Sequence, residues 1–176
     1  MTPQNGVRIR HLARIGAREI DGLSDVLIDC VEGGASVSFM LPMTRAKADA
    51  FWRGVAASAE RGERAVFVAE DGAGAIVGTV QAVWAQTENQ PHRGDIAKML
   101  VHRRARRLGV GAALLEAAER HARETGRTLL VLDTASDDAE RLYVRQGWQR
   151  CGVIPRYALM PGGAPCDTVI YFKALD

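Results

Sequence analysis

Asp95 to Arg123 reads DIAKMLVHRRARRLGVGAALLEAAERHAR. Its first seven residues read as a strand, and from Val110 onward an apolar stripe at helical spacing begins. Between them lies a basic turn, Arg106-Arg107-Leu108-Gly109-Val110-Gly111. The first four N–H groups of a helix have no partner inside it, and the helix dipole adds partial positive charge at the same end. Two glycines there let a ligand approach the main chain, so the turn is a candidate anion cradle, suited to a pyrophosphate. In the helix, Val110, Ala113, Leu114, Ala117, Ala118 and His121 form one stripe. Glu116, Glu119, Arg120 and Arg123 are expected to face solvent, and Gly126 is expected to stop the helix.

Upstream, Val7–Leu12 reads as a strand, and Ile20, Leu23, Leu27 and Val31 mark an amphipathic helix from Glu19 that stops at Gly33-Gly34. The loop Gly33 to Pro42 carries Phe39, Met40 and Leu41 and is a candidate cover for a cavity, or else packs on the core. Thr44 caps a second helix running to about Arg61. Ala65–Glu70 and Ile76–Ala85, joined by Asp71-Gly72-Ala73-Gly74, are a hairpin signal. The glycines Gly72, Gly74 and Gly78 do not form GxGxxG before a helix and are read as turn and strand glycines.

Downstream, Thr128–Leu132 is a short apolar strand ending at Asp133-Thr134. Ser136 caps a helix carrying Ala139, Leu142 and Tyr143, which Gly147 ends. A strand over Trp148–Ile154, a Pro/Gly loop (PRYALMPGGAP) and a last strand over Thr168–Leu175 complete the chain. This order predicts one domain over residues 1–176: an α/β (α+β) fold with a mixed, mostly antiparallel sheet and helices on both faces.

The 176 residues, 47% apolar and 25% charged, suit one soluble domain. A net charge of +2 argues against general nucleic-acid binding. Cys30, Cys151 and Cys166 form no CxxC pair, so neither a disulfide framework nor a zinc site is indicated, and no metal is expected. The N-terminus (MTPQNGVRIRHLARIG) lacks a signal-peptide core, and no apolar run approaches the roughly 18 residues that span a bilayer. A cytoplasmic protein with no membrane partner is expected.

The turn Arg106-x-x-Gly109-x-Gly111 after a strand, followed by Ala139-Glu-Arg-Leu142-Tyr143 and Gly147-Trp148, resembles the GNAT superfamily of acyl-CoA N-acetyltransferases. A narrower resemblance, to the tabtoxin-resistance acetyltransferases within it, is carried by Val31 to Met40 (VEGGASVSFM), Lys98-Met99-Leu100-Val101, Leu132-Asp133-Thr134 and Thr168 to Leu175. It implies acetyl-CoA as donor, a small amine such as an amino-acid-like toxin as acceptor, and direct transfer. Acetylation of a protein N-terminus or lysine, and a non-catalytic acyl-CoA sensor, are the competing readings. One departure is Ser136, where many members carry asparagine.

The resemblance implies that Arg106, Arg107, Leu108, Gly109, Val110, Gly111 and Ala112 hold the pyrophosphate through backbone amides. It places Met99, Leu100 and Val101 along the pantetheine arm, and Ser136 beside the cofactor. Arg103, Arg104 and Arg107 are the candidates for the 3′-phosphate. Tyr143 is the candidate general acid for the departing thiolate, with Asp95 and Asp133 as candidate bases and His92 and Glu88 ranked below them. Since Asp95 starts one strand and Asp133 ends the next, parallel neighbours would set them at opposite edges, and a bulge or a long substrate reach would be needed to unite them. The C-terminal strand is a candidate for sharing with a second copy in a homodimer.

Overall fold

The computed structural model describes residues 6–175; residues 1–5 of the N-terminal stretch read above lie outside the described residues. Seven strands form one sheet in the order β1-β2-β3-β4-β5-β7-β6, with β1 Arg8–His11, β2 Arg64–Glu70, β3 Ile76–Trp84, β4 Arg93–Val101, β5 Leu129–Thr134, β6 Gln149–Leu159 and β7 Pro165–Ala174. Only β4 and β5 pair in parallel; every other pair is antiparallel. The four α-helices are α1 Ala17–Glu32, α2 Arg45–Glu60, α3 Val110–Glu124 and α4 Asp137–Arg145. The expected order and the mixed, mostly antiparallel sheet are what the chain adopts.

The helices divide between two apolar layers. Leu23, Leu27 and Val31 of α1 and Trp52 of α2 pack with Val66, Val68 and Leu100 on one face. Val110, Leu114 and Ala118 of α3 and Tyr143 of α4 pack with Phe67, Val80 and Leu132 on the other. Pairing partners share a face, so the α1–α2 face also carries Gln81, Asp95, Val131 and Asp133. A Cβ at Gly78 would meet Val110 Cγ1 at 3.0 Å and the Leu100 carbonyl at 3.1 Å, so this glycine lets the start of α3 sit against the sheet. In the β2–β3 turn, Asp71 Oδ1 accepts from the Ala73 and Ala75 amides, both at 3.0 Å, as an Asp-Gly turn predicts.

Three expectations are corrected. Residues 155–159, read as loop, extend β6, whose ladder to β7 runs to Leu159↔Pro165. Pro155 is tolerated because β6 is an edge strand and the register shifts between Ile154 and Ala158, where Arg156 takes φ 54°. The C-terminal strand β7 is therefore enclosed between β5 and β6 and has no free edge for a second copy. Glu119 does not face solvent: it is 4% exposed, accepts from Trp148 Nε1 at 2.8 Å and pairs with Lys173 Nζ at 2.6 Å. It ties α3 to Trp148, in the turn between α4 and β6, and to β7.

His121 is part-buried, as its stripe predicted, and meets His11 with ring centroids 4.7 Å apart and Phe67 at 5.5 Å. Burial lowers both imidazole pKa values, and each ring feels a neighbouring positive charge: protonated His121 for His11, Arg127 for His121; Glu124 opposes the latter. A folded-state value below the unfolded one means stability that is full above the unfolded histidine pKa of about 6.5 and lost as pH falls through the folded values. The melting temperature should therefore fall between pH 7 and pH 5, and His121→Phe should flatten that segment of the curve. An unchanged slope in thermal melts of the variant would show that carboxylates alone set it.

Candidate functional site

The parallel ladder between β4 and β5 is short. It pairs Arg93↔Leu129, Gly94↔Leu130 and Asp95↔Val131 and then ends. Beyond Asp95, β4 stays with β3 through a bulge, between Gln81↔Ala97 and Thr79↔Leu100, where Lys98 takes φ 50°. β5 stays with β7 through Leu132↔Tyr171, Asp133↔Ile170 and Thr134↔Val169. The two strands separate, and the β4 edge from Ile96 to Val101 has no strand partner on its β5 side. Met99 and Val101 pack toward the α3 layer, while Leu100 is 2% exposed in the α1–α2 layer.

At the open end of this gap the chain enters the basic turn. A 3₁₀ turn at Arg103–Ala105 precedes Arg106, then Arg107 takes φ 62° and Gly109 φ 76° as the N-cap of α3. A left-handed N-cap is where glycine is needed, because a Cβ there strains the backbone. Gly111 serves differently: a Cβ would meet Leu142 Cδ2 at 3.1 Å, so it admits close packing of α3 on α4. Among the described residues, the backbone amides of Arg107, Leu108, Gly109, Val110, Gly111 and Ala112 have no hydrogen-bond acceptor, and the first helical bond at this end is Ala113 N to Gly109 O at 3.1 Å. Six consecutive free donors at a helix N-terminus are an arrangement suited to an oxyanion.

Asp29 of α1 holds the turn from beneath. Its carboxylate accepts from the Arg103 amide at 2.8 Å and from Arg103 Nε at 2.9 Å. Burial alone would raise that carboxyl, but the Arg103 amide and guanidinium, with His102, bring it below its ordinary range. Arg104 pairs with Asp71 at 3.2 Å, and Arg106 Nε donates to the Val101 carbonyl at 3.3 Å. Arg107 is exposed and has no carboxylate partner among the described residues. Asp29 was invisible as a site residue in the sequence, since it lies over seventy positions before the turn in an unremarkable helix.

Tyr143 sits on α4, whose cap is Ser136: its Oγ accepts from the Ala139 amide at 3.3 Å. The tyrosine is 4% exposed, beside Trp148 at 5.9 Å and Tyr171 at 6.0 Å between ring centroids. Burial raises its phenol pKa well above the ordinary tyrosine value, and the negative charge of Asp133 adds to this. Its hydroxyl makes no hydrogen bond among the described residues.

Asp95 and Asp133 do not lie at opposite edges. Because the ladder begins at Arg93 and stops at Asp95↔Val131, Asp133 is two residues beyond Asp95 on the same face, at the mouth of the gap. Burial raises the Asp95 carboxyl; Arg93, donating to Oδ2 at 2.7 Å, opposes this, and Asp133 reinforces it. Asp133 Oδ2 accepts from Thr168 Oγ1 at 2.9 Å. Glu88 and His92 are exposed in the connection at the closed end of the ladder, where the His92 carbonyl accepts from Thr128 N at 2.9 Å.

The loop after α1 divides its labour. Phe39 packs edge-on against Phe51 at 5.1 Å, while Met40 and Leu41 are exposed. Ser36 Oγ donates to the Leu159 carbonyl at 3.3 Å and Leu41 N to the Pro161 carbonyl at 3.1 Å, which pins the loop to the β6–β7 hairpin. A groove of about 540 Å³ lies elsewhere, between α1 and the β2–β3 turn. Within it Arg10 pairs with Glu70 at 2.7 Å and Arg45 with Asp21 at 3.4 Å.

Residues 36–148 match the model of the acetyltransferase (GNAT) family. The chain belongs to that family. As an acetyltransferase of this family, it shares its fold with several solved structures. A GNAT superfamily phosphinothricin acetyltransferase from Sinorhizobium meliloti, in complex with acetyl-CoA, superposes with a TM-score of 0.80 at 18% identity over 97% of this chain and 89% of that one. A ribosomal-protein-alanine N-acetyltransferase from Brucella melitensis gives 0.76 at 23% over 96% and 99%. An N-acetyltransferase from Staphylococcus aureus Mu50 gives 0.79 at 17% over 97% and 99%. Among the described residues, no helix is long and apolar enough to cross a membrane.

Proposed function

We propose that this GNAT acetyltransferase moves the acetyl group of acetyl-CoA directly to the amine of a small, amino-acid-like acceptor, as the tabtoxin-resistance enzymes do. The observation that carries the reading is the meeting of three features: six free amides, a strand edge without a partner, and a buried phenol. The amides from Arg107 to Ala112 suit a pyrophosphate, and Arg107, among the described residues the one unspent arginine of the three candidates, suits the 3′-phosphate. The open β4 edge at Met99, Leu100 and Val101 suits an extended amide-bearing arm, which would add to the sheet as a strand does. The Ser136 oxygen is occupied as a helix cap, and its proton remains available to the cofactor. Loaded in this way, the cofactor presents a thioester at the gap between β4 and β5.

The residues then divide the proton work. The acceptor ammonium must lose a proton, and Asp133 or Asp95, directly or through water, is placed to take it. As the C–N bond forms and the C–S bond breaks, the thiolate needs a proton, which the Tyr143 hydroxyl supplies. Burial keeps the phenol neutral, so its proton is in place as the C–S bond breaks; the same burial weakens it as an acid, and the transfer depends on the hydroxyl lying against the sulfur as its charge develops. The pinned loop from Ser36 to Leu41 narrows the acceptor approach, which favours a small molecule over a peptide. Activity is tested by CoA release with a panel of small amines and peptides; turnover of peptides alone would move the reading to protein acetylation, and tight acetyl-CoA binding without turnover to a sensor.

Gly109→Val tests the cradle. A β-branched residue at this left-handed position strains the turn and reorients the free amides. Acetyl-CoA affinity by calorimetry should fall about tenfold or more, as expected for the loss of 1.4 kcal/mol or more of binding. Normal affinity would sink the cradle.

A further inference from the structure

Lys98 stands apart from the other charges of the chain. It occupies the β4 bulge with φ 50°, a conformation that a lysine adopts at a cost. Its ammonium donates to Ser38 Oγ at 3.0 Å and lies 5.8 Å from the centre of the Phe51 ring. It is part-buried, yet no carboxylate lies within salt-bridge distance of it among the described residues. Burial lowers its pKa and Arg64 adds to this, while the charge of Asp133 opposes them, so Asp133 is near enough to be felt without forming a pair. A part-buried ammonium without a counter-ion is unfavourable unless something supplies one.

Its surroundings are rich in donors on one side. Gln81, 1% exposed, lies opposite Ala97 in the register; its Oε1 accepts from Arg64 Nη1 at 2.7 Å, and its Nε2 has no acceptor. On the other side, Asp95 lies three residues earlier on the same strand, and Asp133 stands across the gap on β5. The α1–α2 face therefore presents positive and donor groups (Arg64, Gln81, Lys98) beside negative ones (Asp95, Asp133). A molecule complementary to both carries an ammonium and an anionic oxygen group within a few bonds of each other.

We propose that Lys98 is a specificity-determining residue that holds the carboxylate of the acceptor, so that the enzyme selects amines bearing a carboxylate over otherwise identical amines without one. This rests on the acetyl-transfer reading above. With the ammonium of Lys98 on the carboxylate, the acceptor nitrogen is left toward Asp133 and the thioester. Ser38, on the loop pinned to the β6–β7 hairpin, orients the lysine, and Phe51 limits its swing.

The test uses the full-length protein, acetyl-CoA and paired acceptors: α-amino acids and the amines that result from their decarboxylation, read as kcat/KM by CoA release. The native enzyme should favour the carboxylate-bearing member of a pair. Lys98→Met should reduce that preference about tenfold or more, the range for losing a hydrogen bond to a charged group, and Lys98→Arg should retain much of it. An equal loss on both members would make the lysine a general electrostatic or structural element and overturn the proposal. A native preference for decarboxylated amines overturns it without touching acetyl transfer, and does so even if the Met variant fails to fold. Bound acetyl-CoA with no turnover of any amine would remove this proposal and the transfer reading together.

Discussion

Tyr143→Phe should lower kcat by about two orders of magnitude, within the range that a positioned general acid contributes, and leave acetyl-CoA affinity within about threefold. The variant isolates the hydroxyl. The ring stays in its apolar bed between Trp148 and Tyr171. No hydrogen bond within the described residues is lost, so folding should be nearly unaffected, as for other shape-conserving core changes. Because burial and the charge of Asp133 raise the phenol pKa, the native group stays protonated throughout the neutral range, as the proposed acid role requires. The measurements are CoA release at saturating substrates, calorimetric titration with acetyl-CoA, and a thermal melt. Turnover within twofold of native would falsify the acid role and leave water or the acceptor to protonate the thiolate.

Glu119→Ala should be the most destabilising of these changes, by about 3–5 kcal/mol, the usual result of removing one partner from a buried ion pair. Truncation leaves Lys173 Nζ, which also donates to the Gln146 carbonyl at 2.6 Å, without its counter-ion, and leaves Trp148 Nε1 without an acceptor. The network joins α3, which begins at the anion cradle, to the segment that follows the Tyr143 helix. Its loss should therefore loosen the relation between the cradle and the acid as well as the fold. Urea unfolding with an unchanged m-value reads the stability loss. Glu119→Gln should cost less, since an amide oxygen still accepts from the indole. The double change Glu119→Leu with Lys173→Met should recover much of the loss, because it removes both charges together. A loss below about 1 kcal/mol for Glu119→Ala would mean that water replaces the carboxylate.

Much of this was legible in the chain itself. The strand, glycine turn and helix of Asp95 to Arg123 are local, and so are the Asp71 turn and the loop Gly33 to Pro42 with its apolar Phe39, Met40 and Leu41. Each is set by dihedral preferences, capping and periodicity within a few positions, and the order of these elements determined the mixed sheet with helices on both faces. Tyr143 and Asp133 were nominated by motif. The sequence misled where the deciding contact is distant. Glu119 reads as surface on a helical wheel, but Lys173 and Trp148, both far along the chain, make its burial favourable. Pro155 reads as a loop residue, but an edge position and a bulge let a strand contain it.

The tertiary structure alone decided how the pieces meet. Parallel strands carry no local signal of where their pairing stops, so only the register Asp95↔Val131 shows that the two carboxylates share the mouth of the gap. The same separation leaves the β4 edge open beside six unpaired amides, and it places Lys98 part-buried without a carboxylate. The residues of Asp95 to Arg123 set six free amides at the end of a strand by local geometry. What lies across from that strand, and hence which acceptor reaches the thioester, depends on contacts made by residues scattered from Asp29 to Lys173.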